Sequence, residues 1–583
     1  METGRVAVPV AAPGRALNVA GRAAAGACLL SILACGSPRD GGRENAARDA
    51  AAFRFVDVAE AAGLDRVILA GRPGKDHLLD STGTGVAWLD YDRDGWIDAY
   101  VVNGFRLEGA AVVERGENAL YRNRGDGRFE DVTRSAGVEG EGRWGSGVAV
   151  ADYDDDGWPD LLVTSFGPNV LYRNRADGTF ENVAARAGVE APGWNTGAAF
   201  FDADGDGRLD LYVAAYVEHE LDDVLSAERT LDWKGVDRVA VGPFGLPGAR
   251  DRFFRGRADG TFEEATERAG LEDIGRGFGF TVRAADLDRD GDVDLYVAND
   301  SDANYFYRNE GDGTFREIGL WSGAALDAGG AAQASMGVTI GDANADAEPD
   351  LFVTNFSEDF STLYVNDGRG FFEDLSRDSG IGEATYPFLK WGAAFADLDN
   401  DGDQDLVQAN GHIYPQVYAH PELGLTYKQT NQLLANVGGG KFVDVSGAAG
   451  PGFAERAASR GLAAGDYDND GDLDLLVSRL DRRPALLRND SATGHWLAVR
   501  IEARPGSGTL IGTEVTVHAA GRLMRRDLSS GDSFLSAHDP RLHFGLGEAA
   551  SVERVEVRWP DGSETVLEGV AADRLLVVSR PDP

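Results

Sequence analysis

Seven stretches of this chain set acidic residues at alternate positions, six of them around a glycine. One of them, DYDDDGWPD from Asp152 to Asp160, holds five acids in nine residues. Positions 1, 3, 5 and 9 carry the oxygens. They are Asp90, Asp92, Asp94 and Asp98 in the first copy, Asp152, Asp154, Asp156 and Asp160 in the second, and Asp202, Asp204, Asp206 and Asp210 in the third. The fourth has Asp286, Asp288, Asp290 and Asp294, and the fifth Asp342, Asn344, Asp346 and Asp350. The last two have Asp397, Asp399, Asp401 and Asp405, then Asp466, Asp468, Asp470 and Asp474. Hard oxygen donors packed this closely suit a divalent cation with flexible coordination, and a main-chain carbonyl near position 7 adds a further ligand. Calcium is the cation expected, in six to seven structural sites. Magnesium prefers fewer protein ligands and a stricter octahedron.

Without an ion, carboxylates about 4 Å apart repel by about 1 kcal/mol per pair in water, and by several at an effective dielectric near 20. Glycine at position 6 permits the positive φ that wraps the loop around its ligand. The fifth copy departs, with Asn344 at position 3 and Ala347 in place of the glycine, so weaker binding or an empty site is expected there. A solvated acidic turn explains one such loop, since Asp and Gly favour turns anyway; it does not explain seven in register. An EF-hand needs glutamate at position 12 and flanking helices, whereas Val101 and Val163 stand there, inside strand-like runs.

The elements that position these loops also repeat. Before each loop runs a strand of small apolar residues, such as GVAVAD from Gly147; after it runs a β-branched or aromatic strand, such as DLYVAN from Asp294. Then come a short strand of the LYRN type, a Gly/Asp turn and an FEDV-like strand. Runs of this length between Gly, Asp and Asn turns predict antiparallel hairpins, four strands to a unit. Loop starts lie 62, 50, 84, 56, 55 and 69 residues apart, a spacing that fits propeller blades with insertions. The seventh unit lacks its own outer strand, and FRFVDV from Phe53 has no loop before it. The N-terminal segment is therefore expected to complete the last blade, which removes an open sheet edge. From about Asn489 the acidic loops stop while strand alternation continues, predicting a separate small β domain.

With 97 acidic and 56 basic residues the formal net charge is −41, which excludes nucleic acid and anionic lipid as main partners. At 43% hydrophobic residues the chain is folded all the same. Both cysteines, Cys28 and Cys35, lie near the N-terminus, so the body forms no internal disulfide. Arginines followed by the apolar run AAAGACLLSILA give residues 1–35 the layout of an export signal, too short for a permanent span. ILAC, ending at Cys35, resembles a bacterial lipobox, and Cys35 is the expected lipidation site; plain secretion and a buried cysteine are the alternatives. Residues 36–52 read as a flexible tether.

The D-x-D-x-D-G-x-x-D loops between strands resemble the FG-GAP/VCBS repeats of integrin-like propellers. The C-terminal IGTEV, HFGLG and VRWPDG resemble the ASPIC/UnbV domain. Together they are similar to bacterial members of the cartilage acidic protein family, as are VGPFGLPG from Val241 and NGHIYP from Asn410. The expected fold is all-β: a seven-bladed propeller over 53–489, then an ASPIC/UnbV-like β domain over 490–583. The resemblance implies a secreted or surface calcium-binding propeller, and the lipobox-like ILAC adds the expectation of a bacterial envelope lipoprotein. Its ligand, an extracellular protein, glycan or metabolite, is left open.

Two insertions are candidate binding surfaces. Tyr216–Phe253 contains LDDVLSAERTLDW, expected to include a short helix, and then a Gly/Pro-rich loop. The stretch from Asn410 gathers His412, Tyr414, Tyr418 and His420, residue types that could form a ligand rim or, less readily, a metal site; a packed loop is the plainer alternative. Trp391 fits the core better than a ligand cage. No G-x-S-x-G, H-E-x-x-H or cysteine nucleophile occurs in the body of the chain. The leading expectation is a recognition or adhesion module. An enzyme acting on a small metabolite through funnel loops, and an envelope scaffold, are the alternatives.

Overall fold

Each acidic loop is the turn of a β-hairpin whose strands run away from it in register: Ala151 faces Asp160, Leu89 faces Asp98 and Gly465 faces Asp474. The computed structural model describes residues 53–220, 222–223, 230–271 and 277–581. The export signal, Cys35 and the whole of the tether lie outside them.

The hairpins belong to seven four-stranded antiparallel sheets. Blade 1 is Val86–Leu89, Asp98–Val101, Ala119–Asn123 and Phe129–Asp131. The inner strands of the next five begin at Trp144, Asn195, Gly279, Val338 and Lys390. Blade 7 is Ser459–Gly465, Asp474–Arg479 and Ala485–Asn489, and its fourth strand is Phe55–Asp57, with Phe55 opposite Asn489. Inner strands pack against their neighbours in cyclic order, and the last packs against the first. Apolar side chains such as Leu162, Leu171, Val189, Phe200 and Leu211 fill the space between adjacent sheets.

The insertions close one end of the axis. Phe105–Glu108 pairs with Ala111–Arg115, and Thr230–Trp233 pairs with Val236–Ala240. The second pairing corrects the helix expected from LDDVLSAERTLDW at its C-terminal end only, where Thr230–Trp233 is a strand; Asp222 and Asp223 are helical, and residues 221 and 224–229 lie outside the described residues. These hairpins, with Ile413, Tyr414 and Val417, share one core with Trp144, Trp194, Phe280 and Trp391 on the propeller.

The C-terminal strands form a sheet of four (Glu514–Ala519, Arg522–Asp527, Ser551–Arg558, Glu564–Ala571) and one of three (His495–Glu502, Leu542–Gly547, Arg574–Ser579) around their own core. They are not independent of the propeller. The described residues form one compact unit, and the connection Ser530–Asp539 runs into the propeller axis, bonding to the inner strands of all seven blades. Val86 N–H donates to Ser536 Oγ, Val148 N–H to the Leu535 carbonyl and Phe200 N–H to Ser530 Oγ. Arg283 donates to the Gly531 carbonyl and pairs with Asp532, and Val338 exchanges main-chain bonds with Ser533. Ala393 N–H donates to Ser533 Oγ and Ala464 N–H to His538 Nδ1. Phe534, fully buried, packs on Phe280 and Trp391 with ring centroids 5.6 and 4.9 Å apart. Gly85 makes room for this plug: a Cβ there would lie 1.6 Å from the Leu535 carbonyl oxygen.

Candidate metal centres on the acidic loops

The main chain folds each loop onto its own carboxylates. In the second loop Asp152 Oδ2 accepts the Gly157 N–H at 2.7 Å and Oδ1 accepts the Asp156 N–H at 3.0 Å. Asp202, Asp342, Asp397 and Asp466 repeat both bonds. Asp156 accepts the N–H of position 7, and Asp160 accepts the N–H groups of Tyr153 and Asn174, anchoring the loop to the third strand. Position 4 has positive φ in every copy, including the non-glycine residues Arg93, Asp155, Arg289, Ala345, Asn400 and Asn469. Together with the positive φ at position 6, this turns the loop inward on itself.

The result is a cluster of oxygens. Ligand atoms of Asp152, Asp154 and Asp160 lie within 4.8 Å of one another, as do those of Asp90, Asp92 and Asp94. The triplets Asp202/Asp204/Asp206, Asp286/Asp288/Asp294 and Asp397/Asp399/Asp401 meet the same limit. Six Oδ1 atoms in these loops, those of Asp90, Asp92, Asp154, Asp204, Asp286 and Asp468, are buried with no hydrogen-bond partner among the described residues. A buried carboxylate oxygen left unpaired costs more than a neutral group does, and a cation satisfies several at once. The residues present therefore fit an oxygen-coordinated divalent ion. In the fifth loop the Asn344 amide donates to Asp346 Oδ2 at 2.9 Å, and none of the loop oxygens is orphaned among the described residues.

Electrostatics agree. Burial, with neighbouring carboxylates adding to it, pushes Asp90 up to about 6 and Asp152 and Asp466 up to about 7. Burial also raises Asp350 to about 8 and holds Asp160, Asp294 and Asp474 well above the carboxylate range. Arginines of the LYRN strands offset part of the charge from outside: Arg122 pairs with Asp92 at 2.7 Å, Arg173 with Asp156 at 3.0 Å and Arg255 with Asp204 at 3.0 Å. These guanidinium groups are about a third exposed, so each pair contributes little, on the order of 0–1 kcal/mol.

Two structural roles escape a reading of the loops alone. The asparagine of LYRN joins neighbouring blades: Asn174 Nδ2 donates to the Tyr91 carbonyl of the preceding loop and to the Pro159 carbonyl of its own. Asn309, Asn366, Asn436 and Asn489 do the same, and Asn123 reaches the Tyr467 carbonyl, joining blade 1 to blade 7. The recurrence of Asn at the end of the third strand was the available signal. Position 4 adds a second link, since Arg93 donates to the Gly157 carbonyl, Asn400 to that of Gly471 and Asn469 to that of Gly95.

The four residues of the proposed rim do not share a surface. His412 is 0% and Tyr414 6% exposed, packed with Trp233 and Phe356 in the axial cap, whereas Tyr418 is 55% exposed and His420 is half-buried beside Glu422. Burial lowers His412 to about 3, so it is neutral. Trp391 is core, under the Arg460 guanidinium at 4.1 Å.

The FG-GAP-like repeat family matches this chain over residues 110–163, 152–213, 236–297, 286–353, 342–407 and 420–477. The chain belongs to that family. Its FG-GAP repeats are followed by a match to ASPIC and UnbV over 505–583. Human cartilage acidic protein 1 is 26% identical over 483 residues, covering 71% of this chain and 69% of that protein. Its mouse counterpart is 25% identical over 493 residues, covering 74% and 72%. Among solved structures, an Agrocybe aegerita lectin described as recognising non-reducing terminal N-acetylglucosamine is 16% identical, covers 68% of this chain and 86% of its own, and has a TM-score of 0.34. No helix among the described residues is long and apolar enough to cross a membrane.

Proposed function

We propose that this chain is an exported, calcium-stabilised β-propeller that acts as a recognition or adhesion module. The observation that carries this is the set of buried, unpartnered carboxylate oxygens gathered in the loops. Calcium bound there supplies positive charge and fixes the loop shape; positions 1, 3, 5 and 9 hold it. The FG-GAP repeats and the likeness to cartilage acidic protein 1 support an extracellular setting, at the envelope through lipid on Cys35 or secreted. Ser530–Asp539 fills the axis and the insertions pack into the cap core. This weighs against the funnel-based enzyme, and recognition is assigned to the outer surfaces, with an extracellular protein, glycan or metabolite as partner.

Calcium content after gel filtration in calcium buffer tests the metal: six to seven ions per chain are expected, one for each acidic loop with the fifth in question, and an ion-free chain would sink the reading. Arrays of glycans and extracellular proteins, probed with calcium and with chelator, test recognition. Calcium-dependent capture of a defined class supports the module, and a blank array argues for the scaffold.

A further inference from the structure

The C-terminal domain sits on the propeller face that carries the acidic loops, and it touches all seven of them. Gly508 N–H donates to Asp155 Oδ2 at 2.7 Å in the second loop, and Thr509 N–H to the Gly207 carbonyl at 3.0 Å in the third. Arg525 donates to the Ala347 carbonyl at 3.3 Å in the fifth, Arg522 to the Asp401 carbonyl at 2.9 Å in the sixth, and His543 Nε2 lies 3.1 Å from the Gly471 carbonyl in the seventh. The first and fourth loops are met by side chains alone. Arg500 comes within 4.0 Å of Asp90, and Arg558 donates to Asp286 at 3.3 Å.

We infer that the ion loops are the docking surface of the C-terminal domain, so that calcium binding and insertion of the Ser530–Asp539 plug are one coupled equilibrium. The inference rests on the calcium reading above.

Two effects compete when the ions leave. The loops become more negative, which strengthens their attraction for the docking arginines. Their tips also lose the centre that holds them closed, as buried like charges move apart. Contacts at the second, third, fifth, sixth and seventh loops go to backbone atoms or to side chains at positions 4 and 7, which are not proposed ligands, and these need the closed shape. Among the described residues of the C-terminal domain, Arg500 and Arg558 alone pair directly with proposed ligand carboxylates, and both are a third or more exposed, where ion pairs are weak. Shape therefore wins, and chelation loosens the domain. The plug follows, because the same chain segment links the docked strand Arg522–Asp527 to Leu542–Gly547. The links between position 4 and the next loop make the loops respond together. By reciprocity, weakening the dock must weaken calcium.

Amide hydrogen exchange on the full chain, with calcium content measured on the same samples, tests this. Chelation is expected to lower protection at the Ser533, Ala537 and Asp539 amides about 100-fold, while second-strand amides such as Leu161 keep theirs. A double variant, Arg522→Ala with Arg525→Ala, removes three docking bonds and no proposed ligand; its calcium half-saturation is expected to rise about 5-fold or more, the range of ordinary coupling energies. A chain that binds calcium but shows the same plug protection with and without it overturns the inference and leaves the calcium reading intact. A chain that binds no calcium overturns both. Should chelation unfold the whole chain, the variant decides, and unchanged half-saturation overturns the coupling.

Discussion

At the scale of single residues, a carboxylate here serves either the fold or the ion according to which of its oxygens the main chain has taken. Asp160 accepts two main-chain N–H groups, whereas Asp154 keeps a buried Oδ1 without a partner. Asp154→Asn preserves the shape and removes charge. It is expected to lose one bound calcium per chain and to lower the melting temperature in calcium but not in chelator, as read by metal analysis and calorimetry. The pH dependence follows from Asp90, Asp152 and Asp466, raised to about 6, 7 and 7. Raised carboxylates bind more protons folded than unfolded. Without calcium, their contribution is full below the unfolded value near 4 and is lost as pH rises through 6–7. Calcium takes the ionised form, so the gain in melting temperature it gives should be larger at pH 8 than at pH 5. An equal gain at both would contradict the assignment.

Elements were legible in the sequence wherever local pattern decides them. The alternation and turn chemistry of each unit fixed four strands, and the missing outer strand of blade 7 pointed to Phe55–Asp57, which pairs with Ala485–Asn489. Contacts between distant segments left no such trace. Ser530–Asp539 has no strand alternation, and its partners lie far away in sequence: Phe200 is 330 residues from Ser530. His412 looked like a rim residue because aromatic and histidine types serve cores and surfaces equally well. Only the hairpin Thr230–Ala240 laid over it decides the matter. The LYRN asparagine is the element-level device with the clearest test. Asn174→Ala leaves the buried Tyr91 carbonyl and the part-buried Pro159 carbonyl without this donor, at about 1–3 kcal/mol for the buried group, measurable by urea unfolding with calcium held fixed. Blade 3 has Gly256 at that position, where a Cβ would lie 2.2 Å from the Leu209 carbonyl. Gly256→Asn is thus expected to destabilise the chain although it restores the repeat.

At the scale of the whole molecule, three features hold the ring: the closing strand at Phe55, the plug on the axis and the loops on one face. Phe534→Ala removes a fully buried ring between Phe280 and Trp391, a change that costs about 3–5 kcal/mol in packed cores. The ring and the C-terminal domain should lose stability together in one unfolding transition, because the plug bonds the inner strands of all seven blades and the domain docks on the loops. The most direct measurement is the melting temperature of the full chain at neutral pH, in calcium and in excess chelator. An ion that binds only the folded chain stabilises it by mass action, by about 2.7 kcal/mol per site at a hundredfold excess over Kd. With several sites filled, a large upward shift in calcium is expected. Identical melting in calcium and in chelator would show that the acidic loops hold their shape unaided, and would contradict the proposal that calcium holds this propeller together.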